Sequence, residues 1–89
     1  DLGTLPGDST SQALAINARG EIVGTSCDAD FTCRAFLWRD GVMTDLNTLV
    51  TPDYDGTLTT ANDINNSGRM TGQALEHETG MLVAFVARP

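Results

Sequence analysis

Residues 15–24 read Ala-Ile-Asn-Ala-Arg-Gly-Glu-Ile-Val-Gly and return 48 positions later as residues 63–72, Asp-Ile-Asn-Asn-Ser-Gly-Arg-Met-Thr-Gly. Ile, Asn and both glycines recur in register. Each copy has two short apolar stretches around an Asn-x-x-Gly turn, which is the pattern of a β-hairpin with a type I turn and a bulge glycine. The fold is therefore predicted to rest on a repeated β-unit.

Two further blocks repeat in the same order along the chain. Residues 35–39, Ala-Phe-Leu-Trp-Arg, match residues 84–88, and residues 1–5, Asp-Leu-Gly-Thr-Leu, match residues 45–49. Three blocks in one order are not expected by chance. A length of 89 residues is that of one small domain. We therefore expect a single repeat module, residues 1–89, with unit one at about 1–46 and unit two at about 47–89.

Turn signals divide each unit into short apolar strands, as expected for an antiparallel meander. The segment from Arg34 to Trp38 is almost continuously apolar, which indicates burial on both faces. The predicted fold class is all-β, with antiparallel four-stranded, propeller-blade-like meander repeats, the second lacking its last strand. A small closed β-barrel or sandwich made from both repeats is the alternative. The predicted strands cover 12–17, 21–26, 34–38 and 42–46 in unit one, and 58–65, 69–75 and 81–87 in unit two.

The net charge of the chain limits the kinds of partner that it can bind. Twelve acidic residues face five arginines and no lysine, for a net charge of -7. Nucleic acid is excluded as a partner because phosphate binding needs clustered cations. Membrane insertion is not expected, since no apolar run approaches the length of about twenty residues that a spanning helix needs. The open strand edge of unit two instead predicts self-association or contact with neighbouring repeats through strand edges.

The cysteine spacing predicts a disulfide. Cys27 and Cys33 are the only cysteines and His77 is the only histidine, so a zinc site is poorly supported. A bridge across a hairpin is the favoured interpretation, and two unpaired buried thiols are the alternative. In unit two, Leu75 and Met81 are assigned to the equivalent places. A disulfide predicts an oxidising location, which is extracellular, periplasmic or on the cell surface.

Acidic pairs recur in the loops that follow the second strand of each unit, Asp28 and Asp30 in one and Glu76 and Glu78 in the other. Carboxylates two residues apart in a loop can face one hard cation such as calcium, so these four are candidate ligand or cation residues. Solvated loop charges are the alternative, and no metal ligand or cofactor is assigned. Tyr54, in a polar insertion between the units, is a candidate contact residue.

A second calcium pattern, Asp-x-Asn-x-Ser-Gly from Asp63, fails because its twelfth position is Ala74 and not Glu. Catalysis is not expected, since a nucleophile needs a base beside it and the only histidine, His77, lies in a predicted loop between two glutamates. The aromatic residues of the apolar strands are predicted to lie in the core: Phe36, Trp38 and Phe85.

The chain resembles the extracellular HAF-repeat family of bacterial proteins over essentially its whole length. Arg34 stands where the family signature has His, and Val83 replaces that His in unit two. The resemblance implies a secreted or surface-exposed array of β-meander repeats and carries no catalytic motif. It rests on the blocks at residues 1–7, 15–24, 35–38 and 41–46.

These features together predict a non-catalytic, secreted β-repeat module with a structural or interaction role. The alternative is an extracellular domain that binds carbohydrate or another ligand through the acidic loops, with or without calcium. A hydrolytic enzyme is the least favoured class.

Overall fold

The computed structural model describes residues 3–49 and 56–87, which form seven β-strands and one short 3-10 helix. The predicted all-β class is confirmed. Each predicted strand lies within two residues of an observed one. The strands are β1 Thr10–Ile16, β2 Ile22–Cys27, β3 Cys33–Arg39, β4 Val42–Asp45, β5 Gly56–Ile64, β6 Met70–Glu76 and β7 Leu82–Ala87, and the 3-10 helix is Leu46–Leu49.

The strands make two antiparallel meanders. The first sheet has the order β1-β2-β3-β4, and the second has the order β5-β6-β7. Among the described residues, no strand of one sheet pairs with a strand of the other. The closed-barrel alternative is therefore wrong, because each repeat forms a sheet of its own.

The repeated Asn-x-x-Gly turns have the same geometry in both units. The Asn17 side-chain oxygen Oδ1 accepts hydrogen bonds from the backbone N–H groups two and four residues later, both at 3.0 Å. Asn65 Oδ1 does the same at 3.0 and 2.9 Å. Gly20 and Gly68 close the turns with φ values of 78° and 88°, which glycine adopts without strain.

A close backbone approach is also repeated. A Cβ atom added at Gly24 would collide with the carbonyl oxygen of Gln12, and one added at Gly72 would collide with that of Thr60. The pairing register shifts beside each contact, as in a β-bulge. The two glycines thus let the first strand of each unit fold closely over the second.

Strand register defines two faces for each sheet, because side chains alternate along a strand. The front face carries the glycine just described, and the back face is the opposite one. Front-face residues include Ile16, Ile22, Gly24, Phe36 and Trp38 in the first sheet, and Ile64, Met70, Gly72, Phe85 and Ala87 in the second. Back-face residues include Ala15, Val23, Thr25, Ala35 and Leu37 in the first sheet, and Thr71, Gln73, Leu75, Leu82, Ala84 and Val86 in the second.

The sheets stack with unlike faces together. Strand β5 contacts β1, β2 and β3, so the front face of the second sheet covers the back face of the first. Thr25 Oγ1 donates to the Thr59 carbonyl oxygen at 2.8 Å, and Asn17 Nδ2 donates to the Asn65 carbonyl oxygen at 2.9 Å. The shared core contains Val23, Ala35, Leu37 and Leu46 from the first unit and Leu58, Ala61, Ile64, Met70 and Ala74 from the second.

The segment before β1 covers one end of the first sheet's front face. Leu5 is buried there, and its N–H donates to Ser26 Oγ at 3.1 Å. Arg34 reaches Asp8 at 3.1 Å and Asp45 at 3.0 Å. Burial alone would lower the pKa of Arg34, but the hydrogen bonds and charges of Asp8 and Asp45 outweigh it, so this pKa is raised.

The aromatic residues predicted for the core differ in burial. Phe36 is fully buried, as predicted, whereas Trp38 and Phe85 are half-buried. Phe85 packs against the shared core, and Trp38 lies on the front face of the first sheet, which the second unit does not cover. Within the described residues, no helix has the length and apolar character needed to cross a membrane.

Candidate functional site

The predicted disulfide is confirmed. Cys27 and Cys33 are bonded and stand directly opposite each other on β2 and β3. In the second unit, Leu75 stands opposite Leu82 and not opposite Met81 as the sequence alignment predicts. The register differs because six residues separate the leucines and only five separate the cysteines.

The first acidic loop is held by one of its own carboxylates. Asp28 Oδ1 accepts hydrogen bonds from the N–H groups of Asp30 and Thr32 at 2.9 and 3.0 Å, and the Asp28 N–H donates to the Thr32 carbonyl at 3.0 Å. One oxygen of Asp28 is thus committed to shaping the loop, which is a common role for aspartate in tight turns. Asp30 is exposed at the loop tip.

The second acidic loop has a different geometry. Glu76 Oε1 accepts a hydrogen bond from Thr79 Oγ1 at 3.3 Å, and Glu78 is exposed. Across residues 3–49 and 56–87, no three His, Cys, Asp or Glu side chains are grouped so that they could hold a metal ion. Asp28 and Glu76 are half-buried, and Asp30 and Glu78 are exposed. Cation binding by either pair stays a prediction.

A groove of about 560 Å³ lies beside both loops. Phe31, Gln73 and His77 are among the residues that line it. His77 Nε2 lies 2.7 Å from Thr57 Oγ1, a hydrogen bond whose donor depends on the imidazole tautomer. The full lining is Phe31, Thr32, Cys33, Thr57, Thr59, Thr60, Gln73, Leu75, His77 and Leu82. The groove therefore combines four threonine hydroxyls, one amide and one imidazole with the apolar side chains of Phe31, Leu75 and Leu82.

Phe31 lines the candidate groove and was not predicted from the sequence. Its side chain is 85% exposed and its backbone has a φ of 61°, a left-handed conformation that is uncommon for a bulky residue. An exposed aromatic ring held at a strained position is a feature found at binding surfaces. The available signal was its position, since it is the aromatic residue inside the disulfide-closed loop.

A buried charge cluster was also missed. Glu21 is fully buried and accepts hydrogen bonds from Asn17 Nδ2 at 2.7 Å and from Arg39 at 3.0 Å, with Arg19 Nε at 3.8 Å. The hydrogen bond from Asn17 lowers the pKa of Glu21, burial acts in the opposite direction, and the two arginines lower it further. The cluster therefore fixes the first turn against the end of β3.

Tyr54 lies outside the described residues. Comparison with protein-family models, with curated proteins and with solved structures gives no match for this chain.

Proposed function

We propose that this chain is a non-catalytic β-repeat interaction module whose stacked units present faces to further β-units. One observation carries the proposal: positions that are buried between the units in the first sheet are exposed at the equivalent places in the second. Val23 has no exposed surface, while its counterpart Thr71 is exposed. A sheet face with such exposed positions is a surface on which a further β-unit can pack.

The disulfide supports an oxidising location, and we propose that the module is secreted or displayed at a cell surface. A domain of this size has a thin core, so one covalent link and a docked partner both add appreciably to its stability. The resemblance to extracellular HAF-repeat proteins stays a prediction.

Sedimentation velocity and equilibrium from micromolar to submillimolar protein test this function. We expect the weight-average mass to rise with concentration, because the exposed back face of the second sheet and the uncovered front face of the first sheet can associate between copies. A mass that stays monomeric across the whole range would contradict the proposed function.

A second candidate function is ligand binding in the groove beside the two loops. The exposed ring of Phe31 lines the same groove as the Thr57 hydroxyl, the Gln73 amide and the His77 imidazole, which favours it, because carbohydrate sites pair an apolar ring with polar groups. Cellohexaose and laminarihexaose are suitable probes for calorimetry. We expect Phe31→Ala to abolish binding and the control Val42→Ala, an exposed apolar residue outside the groove, to leave it unchanged; no heat with the native protein would remove this candidate.

A further inference from the structure

We propose that a second copy of this chain docks head to tail, with the front face of its first sheet on the back face of the second sheet of its partner. This inference rests on the proposed function and names its partner. The new contact would repeat the interface that already joins the two units, so its geometry is given by the structure itself.

The back face of the second sheet is exposed. In the first sheet, Val23 and Leu37 are 0% and 5% exposed because the second unit packs on them. Their counterparts, 48 and 49 residues later, are Thr71, which is exposed, and Val86, which is 68% exposed. Leu82 on the same face is 60% exposed. The position that receives a neighbouring unit in the first sheet is therefore free in the second.

The front face of the first sheet is uncovered in the complementary way. Ile64 of the second sheet is 6% exposed in the shared core, whereas its counterpart Ile16 is 65% exposed. Ile22 is half-buried, while its counterpart Met70 is fully buried. A concavity of about 330 Å³ beside Ile16 is lined by residues 13–16 and Ile22. Ala13, Ile16 and Ile22 repeat Ala61, Ile64 and Met70, with which the second unit docks on the first, while Thr10 stands in the place of Leu58.

Polar groups also occur at the required places. Thr25 Oγ1 donates across the existing interface to the Thr59 carbonyl. The equivalents in the new interface are Gln73, which has an amide donor and is exposed, and the carbonyl of Ser11 in the second copy. Asn65 similarly repeats Asn17, whose Nδ2 crosses the existing interface.

The covering segment at the start of the chain fits this arrangement. Residues 1–5 repeat residues 45–49, and Leu46 from the latter block lies in the core between the two units. Asn47 in that block makes hydrogen bonds of 2.7 and 3.0 Å with the backbone of Leu58. The described residues 3–5 therefore correspond in sequence to part of the linker between the units.

Charge does not oppose the contact at its centre. The front-face residues Ile16, Ile22 and Trp38 and the back-face residues Leu82 and Val86 are all uncharged, in a chain whose net charge is -7. Two unlike faces meet, so the interface is heterologous and each dimer keeps one free front face and one free back face. We therefore expect association to continue past the dimer.

Two charge substitutions test the arrangement. Ile16→Asp places a charge on the front face of the first sheet, and Val86→Asp places one on the back face of the second sheet. Both positions are solvent-exposed, so folding should be retained. Each variant alone is expected to be monomeric in sedimentation at concentrations where the native chain associates. An equimolar mixture is expected to form a one-to-one dimer that grows no further, because each copy still supplies one intact face. Val42→Asp is the matched control, since Val42 is 62% exposed but lies on neither free face.

Trp38 supplies a second signal, because it is the only tryptophan of the chain and lies on the front face. Its emission is expected to shift to shorter wavelength as the mixed dimer forms. If the native chain associates but the mixture stays monomeric, or if only one of the two substitutions blocks association, the head-to-tail arrangement is wrong while the proposed function stands. If the native chain does not associate at all, both fail.

Discussion

The buried carboxylate of Glu21 contacts the turn that begins at Asn17. Glu21 is fully buried in an acidic chain, yet its carboxylate is matched by Asn17 and by two arginines. The equivalent residue of the second unit is Arg69, which is exposed. The turn itself therefore depends on the repeated asparagine, and the buried ion cluster is particular to the first unit.

Glu21→Gln is predicted to flatten the dependence of stability on pH. The folded-state pKa of Glu21 lies below its usual value of 4.5, so its contribution is present above that pH and is lost as the pH falls through the folded-state pKa. Urea unfolding from pH 7 to pH 3 should show a smaller loss of unfolding free energy in the variant than in the native chain. The variant should also be about 1 to 2 kcal/mol less stable at pH 7.

Asp30→Asn is the control for this experiment, because Asp30 is an exposed acid. Its pH profile should follow that of the native chain. Parallel profiles for Glu21→Gln and the native chain would show that the carboxylate contributes no pH-dependent stability.

Arg34→Met is predicted to destabilise the protein by about 3 kcal/mol at pH 7, because it leaves the largely buried carboxylates of Asp8 and Asp45 without their cation. The side chains of Asp8 and Asp45 are only 5% and 17% exposed. Equilibrium urea unfolding measures the loss, and Arg69→Met, at an exposed arginine, should cost far less. Equal losses in the two variants would refute a specific role for Arg34.

The hairpin of β2 and β3 and the hairpin of β6 and β7 have the same form but are joined by different residue pairs. Both units bring the ends of their second and third strands together, by Cys27 and Cys33 in one and by Leu75 and Leu82 in the other. Asp28 shapes the first loop through backbone hydrogen bonds. The hairpin is therefore specified by register and turn residues, and the disulfide reinforces it.

Replacing both cysteines by leucine is predicted to cost less stability than replacing both by serine. A ring this short contributes about 2 kcal/mol through loop entropy, and the serine variant loses all of it. The leucine pair is expected to recover part of it, because two leucines at directly opposite positions, as Leu75 and Leu82 are in the second unit, can bury apolar surface against each other. Thermal melting of both variants beside the native chain tests this order, and a leucine variant no more stable than the serine variant would contradict it.

At the scale of the whole molecule, net charge opposes association while the two free faces favour it. Copies with a charge of -7 repel each other, and the uncharged centres of the faces offer no compensating ion pairs. Association is thus expected to depend on apolar contact and on how well salt screens the repulsion.

Sodium chloride is predicted to strengthen self-association. Raising its concentration from about 20 mM to about 300 mM shortens the screening length severalfold, so the dissociation constant should fall by about three- to tenfold. Sedimentation equilibrium at a series of salt concentrations measures the trend. Weaker association at high salt would mean that ion pairs hold the copies together, which would contradict an interface with an uncharged centre.

The sequence predicts those features of the fold that depend on neighbouring residues. The turns at Asn17 and Asn65 and the apolar run through Phe36 placed the strands to within two residues, because turn chemistry and side-chain alternation act over a few positions. The candidate site was predicted less well. The acidic pairs lie in the expected loops, but Phe31 became visible only when its exposure and backbone angle were known.

The sequence by itself determined the repeat, the strands, the disulfide pairing and the acidity of this protein, since each follows from residue type and spacing. Only the tertiary structure decided that the units stack with unlike faces, which side chains the stack buries, and that Ile16 and Val86 are left exposed at its two ends. The physical reason is that burial depends on what lies above a strand in space. Two residues in equivalent positions of a repeat can therefore be core in one unit and surface in the other.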